Sequence, residues 1–167
     1  TNNKILEVEP SSKRYSVAAK LFLSSGKMEE SYNYFSKAVE LENNDSLKSI
    51  LQLELAKITL TTKAYSKAKS EALLAVNLNE NNKKAYEFLG DLYLAGASTC
   101  NSEDVLIKKA IYIIAYKEYL KSGNTSKMAS VKKHFPTMEE IFVRNKKEGD
   151  IVKVGCWIKE NVALMKK

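Results

Sequence analysis

A chain of 167 residues, 28% charged and 44% hydrophobic with six Gly, two Pro and two Cys, is long enough to bury a core without staples, and its composition excludes collagen-like, disordered and disulfide-scaffold classes. The formal charge of +7 comes from 27 Lys and Arg against 20 Asp and Glu, but only Arg14 and Arg144 are arginines, which weighs against a nucleic-acid reader built on the planar Arg fork. The excess sits late: residues 124–167 carry 10 basic and 5 acidic groups, residues 1–123 carry 17 and 15. No apolar run approaches the roughly 20 residues of a spanning helix, and the start TNNKILEVEP lacks the basic-then-apolar order of a signal peptide.

In chain order, ILEVEPSS runs from apolar and acidic residues into Pro10 and is expected to close a preceding unit, making the chain the end of a longer array. Apolar periodicity then predicts helices over 12–24, 28–41, 46–61, 64–78 and 83–96. Gly26 can end the first in a left-handed conformation, while Asn43-Asn44-Asp45 and Asn79 to Asn82 can cap and turn the chain. The polar stretch GASTCNSEDV interrupts the pattern. A helix resumes at Val105, with Ala110, Ile111, Ile114, Ala115, Tyr116 and Tyr119 as candidate core. A shorter helix over about 124–134 precedes Pro136, and Thr137-Met138-Glu139-Glu140 is a capping box opening a helix through about Lys147. Gly149-Asp150 breaks it. IVKVGCWIKENVALM, β-branched and aromatic, reads as a hairpin turning around Lys159-Glu160-Asn161 and lying on the last helices.

Within the helical region a unit recurs. Tyr86, Leu89, Gly90 and Tyr93 are matched 34 positions earlier by Gln52, Leu55, Ala56 and Thr59, and a further 37 earlier by Tyr15, Ala18, Ala19 and Phe22. Each marks a helix whose small residue, Ala19, Ala56 or Gly90, lets a second antiparallel helix approach closely. The spacing resembles the tetratricopeptide repeat. The region from Cys100 onward, particularly FPTMEEIFVRNKKEGDIVKVGCWIKENVALM, resembles the closing segment of tetratricopeptide proteins from the envelope of Bacteroidetes-type bacteria. These resemblances imply an all-α fold, an α-α superhelix with extra C-terminal helices and a small terminal β-hairpin. They divide the chain into repeats over 1–123, about three helix pairs with an insertion at 97–104, and a cap over 124–167. They imply a non-catalytic scaffold, without cofactor, for a protein or peptide partner in the periplasm or cell envelope, although a cytoplasmic address stays open.

Repeats of this family bind partners along the first helix of each pair. The corresponding positions are Lys13, Ser16, Lys20 and Leu23; Ile50, Leu53, Lys57 and Leu60; and Lys84, Glu87, Asp91 and Leu94. Lys20 and Phe88 stand where a chaperone-type carboxylate clamp needs Asn and a basic residue, which excludes that specialisation. The mixture of Lys and aliphatics suits an acidic or amphipathic peptide. The competing expectation is nucleic-acid or anionic-surface binding through the Lys-rich C-terminal region.

Catalytic constellations are missing from the sequence: there is no phosphate-binding glycine loop and no H-E-x-x-H, and His134 is the single histidine. Its place near a helix end suits the helix dipole. The adjacent pairs Glu29-Glu30 and Glu139-Glu140 fall early in helices, where negative charge is favoured. Cys100 and Cys156 lack metal-site spacing. They are either two separate thiols or one disulfide closing a loop of about 57 residues, which would contribute about 2–4 kcal/mol and favour an oxidising compartment.

Overall fold

Several helices begin where a short polar side chain caps them. Ser11 Oγ accepts the Arg14 N–H, Asn44 Oδ1 that of Leu47, Asp104 Oδ1 that of Leu106 and Asn124 Oδ1 that of Lys127. The computed structural model describes residues 10–167, so most of the ILEVEPSS stretch lies outside the described residues. These residues form two compact units, one running to Asn82 and the other from Lys83 to Lys167.

Unit one contains α1 (Ser12–Ser24), α2 (Met28–Leu41), α3 (Asp45–Thr61) and α4 (Tyr65–Leu78). The pairs α1/α2 and α3/α4 turn on Gly26 (φ 74°) and Lys63 (φ 57°), equivalent left-handed positions. Ala19, Phe35 and Ala38 of the first pair share one buried cluster with Leu51, Leu55 and Ile58 of α3. Burial of these aliphatic and aromatic side chains is the main stabilising term, each large one contributing about 1.5–3 kcal/mol. Two buried hydroxyls inside the pairs are satisfied by backbone: Ser31 Oγ donates to the Ala19 carbonyl at 2.9 Å and Ser49 Oγ to the Ala75 carbonyl at 2.6 Å. The buried Glu71 accepts the Tyr32 hydroxyl at 2.6 Å.

Unit two contains α5 (Lys83–Ala95), a single 3₁₀ turn at Ala97–Thr99, α6 (Val105–Ser122), α7 (Thr125–Lys132), α8 (Met138–Phe142), β1 (Ile151–Val154) and β2 (Glu160–Ala163). Gly90 explains why the third helix pair is so close. A Cβ there would lie 2.4 Å from Tyr119 Cε1, so only glycine admits the buried Tyr119 ring. Of the core residues expected on α6, Ala110, Ile111, Ile114, Ala115 and Tyr119 are buried. Tyr116 is half-buried, meeting Phe135 edge-on at 5.4 Å. The antiparallel strands pair Ile151 with Ala163 and Val154 with Glu160. Their inner side chains, Val152, Val154 and Val162, are buried with Ile158 and Leu164, and both strands pack on α6.

Two local expectations are corrected. The helix opened by Thr137 has its capping box, with Thr137 Oγ1 accepting the Glu140 N–H and the Glu140 carboxylate accepting the Thr137 N–H. It stops at Phe142 rather than near Lys147, because the Arg144 and Lys146 N–H groups both return to the Ile141 carbonyl and Asn145 takes φ 53°. The hairpin turn occupies residues 155–159, not Lys159-Glu160-Asn161. Cys156 and Lys159 adopt φ of 51° and 50° and the Lys159 N–H donates to the Gly155 carbonyl, so Glu160 and Asn161 are already in β2.

Candidate partner-binding surface

Helix pairing divides each first helix into a side pressed on its neighbours and a side left over, and the expected binding positions fall on both. On α1, Lys13 and Lys20 are exposed, Ser16 is half-buried with its hydroxyl donating to the Lys13 carbonyl at 2.9 Å, and Leu23 packs against the core cluster. On α3, Ile50 and Lys57 are exposed and Leu60 half-buried, but Leu53 is only 2% exposed and serves packing. Lys57 Nζ lies 2.7 Å from Glu54, an exposed pair of small energetic value. The accessible remainder in unit one is a basic and aliphatic stripe of Lys13, Lys20, Ile50, Lys57 and Leu60.

Unit two treats the same positions differently. Lys84 is exposed. Glu87 and Asp91 are brought together by Lys127 of α7, whose Nζ lies 2.8 Å from one carboxylate and 2.7 Å from the other. The Tyr119 hydroxyl donates to Asp91 Oδ1 at 2.8 Å, and the Lys127 ammonium sits 5.5 Å from the Tyr119 ring centre. The hydrogen bond from Lys127 holds the Glu87 carboxyl below its usual range. Burial opposes the charge on Lys127, yet its hydrogen bonds to Asp91 and Glu87 leave its pKa raised. Burial, then the Asp91 hydrogen bond, pushes the Tyr119 phenol well above its ordinary value. The acidic pair is thus engaged within the unit, its two carboxylates sharing one ammonium. Lys127 and Tyr119 lie 36 and 28 residues from Asp91, so helical spacing had no means of pairing them.

Leu94, the last expected position, lines a cleft of about 850 Å³ with Ala97, Asn101, Ser102, Lys108 and Tyr112. Its wall is the inserted loop. Cys100 and Cys156 are joined by a disulfide with Cα atoms 5.5 Å apart, tying that loop to the hairpin turn. Trp157 reinforces the tie: Nε1 donates to Thr99 Oγ1 at 3.1 Å and to the Gly96 carbonyl at 3.3 Å, and the ring stacks on Tyr93 at 5.9 Å. His134 follows the end of α7, exposed, with its ring stacked on Tyr112 at 4.6 Å. Among the described residues no group of three or more His, Cys, Asp or Glu is placed to hold a metal ion. The polar composition around Cys100 marked this loop in the sequence, but its neighbours Lys108 and Tyr112 carried no separate signal.

Paired antiparallel helices with a small residue at each crossing, closed by a hairpin, define an all-α helical repeat fold of tetratricopeptide type. No protein-family model matches the chain, and no curated protein does. Solved structures do: the crystal structure of MamA is similar to 86% of this chain and 84% of that one, at 15% identity and a TM-score of 0.51, which supports the helical repeat fold. The crystal structure of BtubC (BKLC) from P. vanneervenii aligns with 87% of this chain and 68% of that one, at 15% identity and a TM-score of 0.47.

Proposed function

We propose that the chain is a non-catalytic interaction module that binds a partner protein or peptide along its first helices, with Lys13, Lys20 and Lys57 meeting acidic groups and Ile50 and Leu60 supplying apolar contact. The observation that carries this reading is the stripe itself: Lys13, Lys20, Ile50 and Lys57 at corresponding positions of α1 and α3 are exposed, with Leu60 half-buried beside them, although the helices are closely paired. Charge at such a rim steers association and selects partners more than it adds affinity. An acidic, amphipathic segment is the complementary partner. An address in the envelope of a Bacteroidetes-type bacterium is part of the same proposal. It is supported by the Cys100–Cys156 disulfide, since such bonds persist in oxidising compartments, and by the resemblance of the closing segment.

The test is purification of the protein with its associated chains from its own cell envelope, followed by binding measurements with the Lys20→Glu, Lys57→Glu double variant. Affinity for the co-purifying partner is expected to fall at least about tenfold and to lose most of its salt dependence. Unchanged affinity would refute the groove, and fractionation with the cytosol would refute the address.

A further inference from the structure

The three most exposed large apolar side chains among the described residues are Phe142, Val143 and Ile151, at 78%, 67% and 60%. All three lie within ten residues of unit two. The first two are held outward by the backbone rather than left there by looseness. Ile141 is fully buried, and the chain closes on it through the returning N–H groups of Arg144 and Lys146 and the left-handed Asn145. With Ile141 inside, Phe142 and Val143 point away from the core. Nothing in folding requires apolar residues there, and water is a poor solvent for both.

The same turn is basic. Residues 142–147 contain Arg144, Lys146 and Lys147 and no acid. Lys153 adds a cation on the exposed face of β1 that also carries Ile151. Nearby carboxylates are mostly engaged within the unit. Glu140 holds Lys109 at 2.6 Å, Asp104 holds Arg144 at 3.0 Å, Glu148 holds Lys166 at 3.3 Å, and Asp150 accepts the Lys147 N–H at 2.9 Å. Glu139 is exposed at the start of α8.

We propose that this turn is a membrane-surface contact, with Phe142 and Val143 entering the headgroup region of an anionic bilayer and Lys146 and Lys147 binding the surrounding lipid phosphates. Side chains this exposed protrude, and a protruding apolar tip with a cationic collar needs a surface that yields around it. A lipid interface does so, whereas a folded protein would need a matching cavity. The contact is interfacial, because no helix among the described residues is long and apolar enough to cross a membrane. This inference is independent of the stripe on α1 and α3.

Co-sedimentation of the full chain with vesicles tests it, using phosphatidylcholine alone and phosphatidylcholine mixed equally with phosphatidylglycerol. Binding is expected to the mixed vesicles only and to weaken as sodium chloride is raised. Phe142→Ala is expected to lower partitioning about tenfold, and Lys146→Glu with Lys147→Glu at least about thirtyfold. Circular dichroism should be unchanged, since all three side chains are exposed. A Phe142→Trp variant should show a blue-shifted emission with mixed vesicles that the parent chain, carrying Trp157 alone, does not. Equal binding to both vesicle types, no binding to either, or full binding by the Phe142→Ala variant would overturn the proposal. So would capture of an acidic protein through Phe142 with no vesicle binding.

Discussion

The two units meet the same packing problem with different devices. Unit one repeats one solution: a small residue at the helix crossing, an apolar cluster spanning neighbouring helices, and hydroxyls of Ser31 and Ser49 bonded to carbonyls across the pair. Unit two departs from regular stacking with its inserted loop, and adds cross-links: a disulfide, the Trp157 hydrogen bonds, and Lys127 between Glu87 and Asp91. The difference teaches that cross-links are not neutral toward binding. In unit one the first-helix residues Lys13, Lys20 and Lys57 stay exposed, Lys57 beside Glu54 of its own helix; where α7 is tied to α5, Glu87 and Asp91 are engaged by Lys127.

The disulfide should dominate any attempt to erase this contrast. Replacing Cys100 and Cys156 by serine is expected to cost about 4 kcal/mol, the chain-entropy value for a loop of this length. Hydrogen exchange should show lost protection in α5, α6 and the hairpin while α1 to α4 keep theirs. Equal loss in both units would mean that they do not respond separately.

Gly90→Ala comes next. Its new Cβ meets the Tyr119 ring at 2.4 Å, so either ring or helix must move, at about 2–3 kcal/mol in denaturant unfolding. Adding Tyr119→Leu should recover part of that loss.

Lys127→Ala should cost only about 0.5–1 kcal/mol at low salt, because the three charged groups are roughly half exposed. Its pH dependence is more informative. The folded-state pKa of Glu87 lies below its ordinary 4.5, so its contribution is present above about that pH and fades as pH falls through the depressed value. The stability gap between the parent and Lys127→Ala should therefore close on acidification below pH 4.5, and a constant gap would mean the pair is not what Lys127 stabilises.

The smallest effect should be a gain. Lys63 occupies in the second pair the left-handed position that Gly26 occupies in the first, so Lys63→Gly is expected to add about 0.5–1 kcal/mol to thermal stability.

Much of the fold was legible because local chemistry dictates it. Starts and stops of α1 to α7 came within a few residues from apolar periodicity and from Gly26 and the Asn43-Asn44-Asp45 and Asn79 to Asn82 clusters, signals that act over one helical turn. The misreadings lie where distant residues decide. Nothing within Met138–Lys147 says that Ile141 will be buried and the next residues turned out; that depends on α6, on which α8 packs and whose Lys109 pairs with Glu140. The hairpin turn moved toward Cys156 for a similar reason, since that residue and Trp157 are fastened to the inserted loop. The candidate surface divides along the same line. Periodicity placed Lys13, Lys20, Ile50 and Lys57 on first helices, but not the burial of Leu53 or the capture of Glu87 and Asp91.

By itself, then, the sequence determined the helices, their pairing and the small residues at the crossings, because these follow from side-chain size and polarity at short spacing. Tertiary structure alone decided that Cys100 meets Cys156, that Lys127 engages the acidic positions of α5, and that Phe142 and Val143 face outward. Each depends on groups many residues apart being carried to within a few ångströms, and only the packing of whole helices fixes such distances.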